Sequence, residues 1–250
     1  MRTFIKYYCS TMDILITGAN RGLGLALCKV LLGDGHRVFA LYRSNGDSLE
    51  VLRKSSLQQQ WGALIPLRCD VTEESQLKHT YEEIGAISSS LDIVINNAAV
   101  HLEQHTPDID TTDFSVFLPT LLVNSVAPLM VAKYVLPLLQ KGRGKCIINI
   151  SSEAGSIGNC WRDREYAYCM SKSALNMAMR ILQNRLKDEQ FRIRLIHPGW
   201  VRTDMGGKQA DLSPEESAQA LYNVVMQTLQ GPYNPEDPLY IDWKGNPLAW

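Results

Sequence analysis

Tyr168 and Lys172 stand four residues apart in YAYCMSK (166–172). Side chains at that spacing share one helical face about one turn apart, which makes a phenol and an ammonium neighbours. A free tyrosine has a pKa of about 10, too high to exchange protons readily near neutrality. A cation beside it favours the phenolate and turns it into a usable acid and base. CIINISSEAGS (146–156) reads as a strand delivering Ser151 and Ser152 to its C-terminal end. Open α/β sheets bind ligands there, and a hydroxyl at that place could hold a substrate carbonyl or cap a turn. No companion histidine is at hand: His197 precedes Pro198, and His101 and His105 fall in a polar loop. Serine-hydrolase chemistry is therefore disfavoured.

A second group of residues suits a dinucleotide. TGANRGLG (17–24) places Gly18, Gly22 and Gly24 between an apolar run and a helical pattern, with Asn20, Arg21 and Leu23 among them. Glycines let backbone turn tightly and approach a pyrophosphate, and the N–H groups opening a helix favour its charge. The spacing is T-G-x-x-x-G-x-G and not G-x-G-x-x-G. A dinucleotide site carries an acid for the ribose 2'-hydroxyl at the end of the second strand, or a basic residue for a 2'-phosphate. Here that strand ends LYRS, with Tyr42, Arg43 and no carboxylate, and Arg21 adds a second positive charge. Two arginines without an acid favour NADP(H). In CDVT (69–72), Asp70, followed by Val71, could contact adenine or cap the helix beginning near Glu73. Asn97, Ala98 and Ala99 of NNAA could line a cofactor channel or make a turn. Asn124, in a predicted helix before Pro128, could distort that helix, hold water or donate to a ligand.

The elements that must carry these residues are legible as alternation. Apolar runs recur at MDILIT, RVFALY, ALIPLRC, LDIVI, KCIINI, FRIRLI and PLYID, with helix-length segments between most of them. Short, nearly continuous apolar strands alternating with helices predict a parallel sheet covered on both faces. The fold class is α/β: a single-domain, Rossmann-type doubly wound parallel sheet of about seven strands. Around the wheel of 168–187, Tyr168, Leu175, Met179, Leu182 and Leu186 form one stripe, and Met170, Ala174, Met177, Ala178 and Ile181 widen it. Polar residues are confined to the arc of Ser173, Asn176, Arg180, Gln183 and Lys187, with Lys172 at its border. So wide an apolar arc predicts burial on two sides, and a homodimer or homotetramer is one way to supply the second. Gly206 and Gly207 could hinge a small lid, and a helix capped by Ser213, with Pro214 first, follows.

Bulk properties narrow the classes. The 250 residues, 45% apolar and 20% charged, suit one globular domain. A net charge of -1 and a pI near 6.5 leave no electrostatic footprint for nucleic acid or an anionic membrane. Six scattered cysteines, without a C-x-x-C pair or histidines at ligand spacing, fit free thiols in a reducing, cytoplasmic compartment and no metal. Neither a run of 18 apolar residues nor a signal-peptide pattern occurs. Residues 1–11 read as a leader with Met12 as the natural start, and 12–250 as the NADP-binding domain, including a substrate loop around 200–230.

Taken together, TGANRGLG, NNAA, Asn124, NISS, YCMSK and HPGWVRTDM stand in the order and approximate spacing of the short-chain dehydrogenase/reductase family. The sequence resembles its sniffer-type carbonyl reductases and C-factor-like proteins, from Met12 to the last residue. That resemblance implies Tyr168 as general acid/base and Lys172 as its activator and ribose partner. It implies Ser152 as the carbonyl-polarising hydroxyl and Asn124 as holder of a water linking Lys172 to solvent. Pro198, Gly199, Val201 and Thr203 would line the nicotinamide and pyrophosphate region. The implied activity is NADP(H)-dependent hydride transfer with a small carbonyl or alcohol, an apolar aldehyde or ketone being the expected substrate. A C-factor-like dinucleotide-binding sensor or signalling protein is the alternative, and a sugar-nucleotide epimerase fits the glycine spacing less well. The stretch from Ser152 to Tyr168 departs from the family in length, through a polar insertion around CWRDRE.

Overall fold

The computed structural model describes residues 11–103 and 109–250. Seven strands form one parallel sheet: β1 (Asp13–Ile16), β2 (Arg37–Tyr42), β3 (Leu64–Arg68), β4 (Ile93–Asn96), β5 (Cys146–Ile150), β6 (Arg192–His197) and β7 (Tyr240–Asp242). Their order in space is β3-β2-β1-β4-β5-β6-β7. The order reverses between β1 and β4, and beyond the C-terminal ends of these two strands opens the crevice such sheets use for ligands. Every strand expected from the apolar runs is present, each within two residues of its expected limits.

The middles of the strands are mostly apolar because both faces are covered. Ile14, Ile16, Val38 and Ala40 bury against α1 (Gly22–Gly33) and α7 (Pro214–Gln230). Leu15, Phe39, Leu41 and Val94 bury on the other face, against α3 (Glu74–Ile87), α5 (Ala127–Lys141) and α6 (Tyr166–Leu186). Each fully buried aliphatic side chain contributes roughly 1.5–3 kcal/mol relative to exposure, enough to make strand register strongly specified. The polar helix predicted for 47–60 is α2 (Asp47–Gln58), and α7 carries the expected Ser213 cap, a complete capping box closed by Glu216.

α4 (Phe117–Leu121), a π-helical turn (Leu122–Val126) and α5 run on as one helix. The stretch Phe114–Lys141 is long enough, and has an 18-residue window apolar enough at a mean hydropathy of 1.8, to cross a membrane by length and composition. Val131, Val135, Leu138 and Leu139 of α5 are instead buried against the sheet. The leader reading concerns residues outside the described set, apart from Thr11, and His105 lies outside it too.

α6 corrects the wheel reading. Asn176 and Gln183 of the polar arc, and Lys172 at its border, are buried, while Arg180 and Lys187 are exposed, as are Met170, Met177 and Ile181 of the apolar arc. The inward polar groups are satisfied locally: Asn176 accepts from Ser151 Oγ at 2.7 Å and donates to the Gly155 carbonyl at 3.2 Å.

Candidate active site

One end of the crevice is built from backbone. Gly18 has φ +63°, a conformation side chains disfavour, and a Cβ there would stand 2.8 Å from Ala98 Cα. A Cβ on Gly24 would collide with the Gly18 carbonyl oxygen. Asn97 explains how the loop is held, since its Nδ2 donates to the carbonyls of Thr17 and Gly18, each at 3.0 Å. Thr17 Oγ1 in turn accepts from the N–H groups of Asn97 and Ala98 at 3.0 Å. The opening turn of α1 has no acid and no side-chain cap, so its N–H donors are left for a ligand. Such a cradle fits a pyrophosphate.

The cleft has a volume of about 1180 Å³, above the roughly 300–1,000 Å³ of ordinary small-molecule pockets and roomy enough for a dinucleotide with a substrate. Gly18, Asn20, Arg21, Gly22, Leu23 and Gly24 line it, as do Arg43, Asp70, Val71, Asn97, Ala98, Ala99, Ser152, Tyr168, Lys172, Pro198, Gly199, Val201 and Thr203. Tyr42 does not line it. Its ring packs on the core and over Gly46. Asp70 closes a turn by accepting from Thr72 N and Oγ1 at 3.0 and 2.7 Å, and α3 is left without a side-chain cap. Arg21 is not a lone charge: it pairs with Asp204 at 2.6 Å, both largely exposed. Gly206 is no open hinge either, because Trp200 Nε1 donates to its carbonyl at 2.8 Å and its own N–H donates to Thr203.

The other end is built from side chains. Tyr168 is the third residue of α6, whose opening N–H groups are satisfied by a distant carboxylate. Buried Glu103 accepts from Ala167 N at 2.8 Å and Tyr168 N at 2.7 Å. The phenol and Ser152 line the cleft together. Ser152 Oγ accepts from Ala154 N at 3.1 Å, so the turn-capping reading is seen directly. Tyr240 of β7 donates its hydroxyl to the Ser152 carbonyl at 2.5 Å and fixes that backbone from the far side. His101 stacks on Tyr168 with ring centroids 4.6 Å apart.

Lys172 is 2% exposed, lies 5.7 Å from the centre of the Tyr168 ring and donates to the Ile150 carbonyl at 2.8 Å. Burial pulls its pKa down to about 8. Burial also pushes the Tyr168 phenol up to about 12, against the opposing pull of the Ser152 hydrogen bond and the Arg162 charge. The expected lowering of Tyr168 by Lys172 is not seen: desolvation governs both groups and disfavours both charged forms.

Asn124 sits in the π-helical turn, so distortion of the helix is the part of its reading seen directly. Its side chain does not line the cleft. Oδ1 accepts from Val100 N at 2.8 Å, while Nδ2 donates to the Val100 carbonyl at 2.8 Å and to Ser171 Oγ at 2.9 Å. The amide therefore clamps the strand leaving β4 onto α6.

Sequence reasoning missed the remainder of this end. Arg162 of the insertion donates to both oxygens of Glu153, at 2.6 and 2.7 Å, and through Nε to Glu165 at 2.7 Å. Despite opposing burial, Arg162 holds the Glu153 carboxyl below its usual range. Trp161, Trp200 and Met205 are exposed apolar groups at the mouth. The run of charges in CWRDRE was the available signal, but one charge run does not reveal its partners.

Comparisons with known proteins agree with this geometry. The family model described as short chain dehydrogenase matches residues 13–229. The NADPH-bound carbonyl reductase from chicken fatty liver superposes with a TM-score of 0.84 at 29% identity, covering 97% of this chain and 100% of that one. The carbonyl reductase Sniffer of D. melanogaster gives 0.82 at 32% identity, with 96% and 100% covered. The C-signal protein of Myxococcus xanthus is 36% identical over 162 residues, 64% of this chain and 93% of its own length. With the match running from β1 to the end of α7, this chain belongs to the short-chain dehydrogenase family of oxidoreductases.

Proposed function

We propose that the chain is an NADP(H)-dependent carbonyl reductase with Tyr168 as its general acid/base. The observation that carries this reading is that Tyr168 and Ser152 line one end of a glycine-lined cleft together with buried Lys172, whose Nζ lies 5.7 Å from the centre of the Tyr168 ring. The glycine loop and the opening N–H groups of α1 would hold the pyrophosphate, Arg43 and Arg21 the 2'-phosphate, and Asp70 and Val71 the adenine. Asn97, Ala98 and Ala99 would border the channel, with Pro198, Gly199, Val201 and Thr203 around the nicotinamide. The NADPH bound by the chicken reductase supports the choice of cofactor.

When bound, the reduced nicotinamide supplies hydride to a carbonyl carbon. Ser152 orients the carbonyl oxygen by donating to it, and Tyr168 gives that oxygen its proton, leaving an alcohol and a phenolate. Lys172, within reach of the ribose, stabilises the phenolate, which is reprotonated from solvent through water held near Asn124. The phenol is protonated at neutral pH, as reduction requires, and burial holds it further in that form. An apolar aldehyde or ketone fits the Trp161, Trp200 and Met205 rim, and segment 200–230 would shape the substrate end.

A signalling role is the second reading, favoured by the likeness to C-signal. The exposed apolar residues Leu118, Leu122, Met170, Met177 and Ile181 support a homodimer or homotetramer. Free, buried Cys28, Cys69 and Cys146 support a reducing, cytoplasmic compartment.

Titration with NADPH and separately with NADH, followed by nicotinamide fluorescence and a screen of apolar aldehydes and ketones, tests the proposal. Tight NADPH binding, weaker NADH binding and turnover of a carbonyl are expected. Folded protein that binds neither nucleotide would overturn it.

A further inference from the structure

We infer that Arg162 is a positioning residue that locks Ser152 to Tyr168 and sets the charge around the phenol. This rests on the reading of Tyr168 as proton donor. The argument starts from connectivity. Glu153 directly follows Ser152, and Glu165 stands at the N-cap of α6, three residues before Tyr168. Arg162 holds both at once: its fork closes on the two Glu153 oxygens, and Nε closes on Glu165. One guanidinium thus ties the chain leaving β5 to the start of the helix that carries the phenol. Planar, bidentate pairing of this kind fixes direction as well as distance.

Two further observations separate this from a surface ion pair. The Arg162 side chain is only 16% exposed, whereas the insertion's other arginine, Arg164, pairs with its neighbour Asp163 where they are 53% and 78% exposed. Glu165 also keeps φ +65°, a left-handed conformation that a non-glycine residue holds only when its surroundings enforce it. Nε of Arg162 is one such constraint.

The charges around Tyr168 come from several elements. His101 stacks on the ring, Glu103 receives its N–H, Lys172 lies on the next turn, and Tyr240 approaches from β7. Cys169 and Glu153 disfavour the phenolate, and Arg162 favours it. Arg162 and Glu153 therefore act on the phenol with opposite sign while being bonded to each other.

That opposition gives the test. The pH dependence of alcohol oxidation is measured for wild type, Arg162→Met, Glu153→Gln, the double variant, Arg162→Lys and the surface control Arg164→Met. Circular dichroism and NADPH binding establish that each is folded. Arg162→Met should move the alkaline midpoint up by roughly half a unit or more, and Glu153→Gln should move it down. The double variant should return toward wild type. Arg162→Lys should restore the midpoint but not kcat, because the ammonium lacks the fork. Arg164→Met should change neither. Midpoints that stay fixed, or move in the same direction in both single variants, would overturn the proposal. If wild type turns over no carbonyl, the functional reading fails separately. Tyrosinate absorbance of the free protein, taken as the difference from Tyr168→Phe in each background, still reads the direction in which each variant moves the phenol.

Discussion

At the glycine-loop end of the cleft the surface is backbone, shaped by Gly18 and Gly24 and braced by Asn97 and Thr17. At the α6 end it is a set of buried and half-buried side chains, each held by a partner in the surrounding structure: Ser152 by Ala154, Lys172 by Ile150, Glu103 by the N–H groups of Ala167 and Tyr168, and Glu153 by Arg162, around Tyr168. The difference follows from what each end must do. A pyrophosphate is recognised by N–H groups that any sequence of small residues can present, provided nothing blocks the approach. Proton transfer needs one group at one place with its charge held in balance, and that demands side chains with partners. Substitutions at the first end should therefore act on binding, and those at the second on turnover.

The sharpest separation is expected from Tyr168→Phe. Removing one positioned hydroxyl should lower kcat for carbonyl reduction by about 10²- to 10⁴-fold, the usual worth of general acid catalysis, and leave NADPH affinity near wild type. Stopped-flow turnover with parallel fluorescence titration measures both, and near-native turnover would erase the proposed division. Gly24→Ala should do the converse. Its methyl collides with the Gly18 carbonyl, so the loop must shift, and overpacking costs about 1–3 kcal/mol, on the order of tenfold to a hundredfold in NADPH affinity. Turnover at saturating NADPH should change little by comparison.

The two ends also differ in how much of them sequence reading reaches. Strand runs, the glycine spacing and the pair Tyr168/Lys172 are local patterns, and each is found where the pattern puts it. Local periodicity places the polar arc of α6 but not what that arc meets. Lys172 and Asn176 are buried with partners supplied by β5 and the turn after it, which no wheel contains. Glu103 and Arg162 escaped notice for a related reason. Their partners are Ala167, Tyr168, Glu153 and Glu165, and the bonds from Glu103 span more than 60 positions of chain. Tyr42 and Asn124 are close to the site in sequence terms, but their side chains turn to the core and to Val100 and Ser171, which no local pattern shows.

A buried ammonium at the side-chain end should leave its own trace in stability. The Lys172 pKa lies at about 8 in the fold, against an ordinary 10.5. Between those values the unfolded chain binds the extra proton, so wild-type stability gains from this residue as pH rises through the window. Below about 8 the burial cost is present in full. Lys172→Met removes the dependence. Its stability relative to wild type should be greatest near neutrality and decline from pH 8 to 10.5, as read by urea denaturation. A difference that does not change with pH would mean that the ammonium is solvated in the fold.

The smallest expected effects lie back at the backbone end, among the two arginines that favour a 2'-phosphate. Arg43 lines the cleft beyond β2, whereas Arg21 is already paired with Asp204 at 2.6 Å. A charged hydrogen bond contributes about 1.5–3 kcal/mol, but an arginine that must leave a carboxylate to make it yields only the difference. Arg43→Ala should thus weaken NADPH binding by about tenfold, with NADH binding unchanged. Arg21→Ala should cost less, and Asp204→Asn should tighten NADPH slightly by releasing Arg21. Equal losses from the two alanine variants would show that the phosphate outcompetes Asp204, and the exposed pair, screened by water and salt, would then be no obstacle to binding.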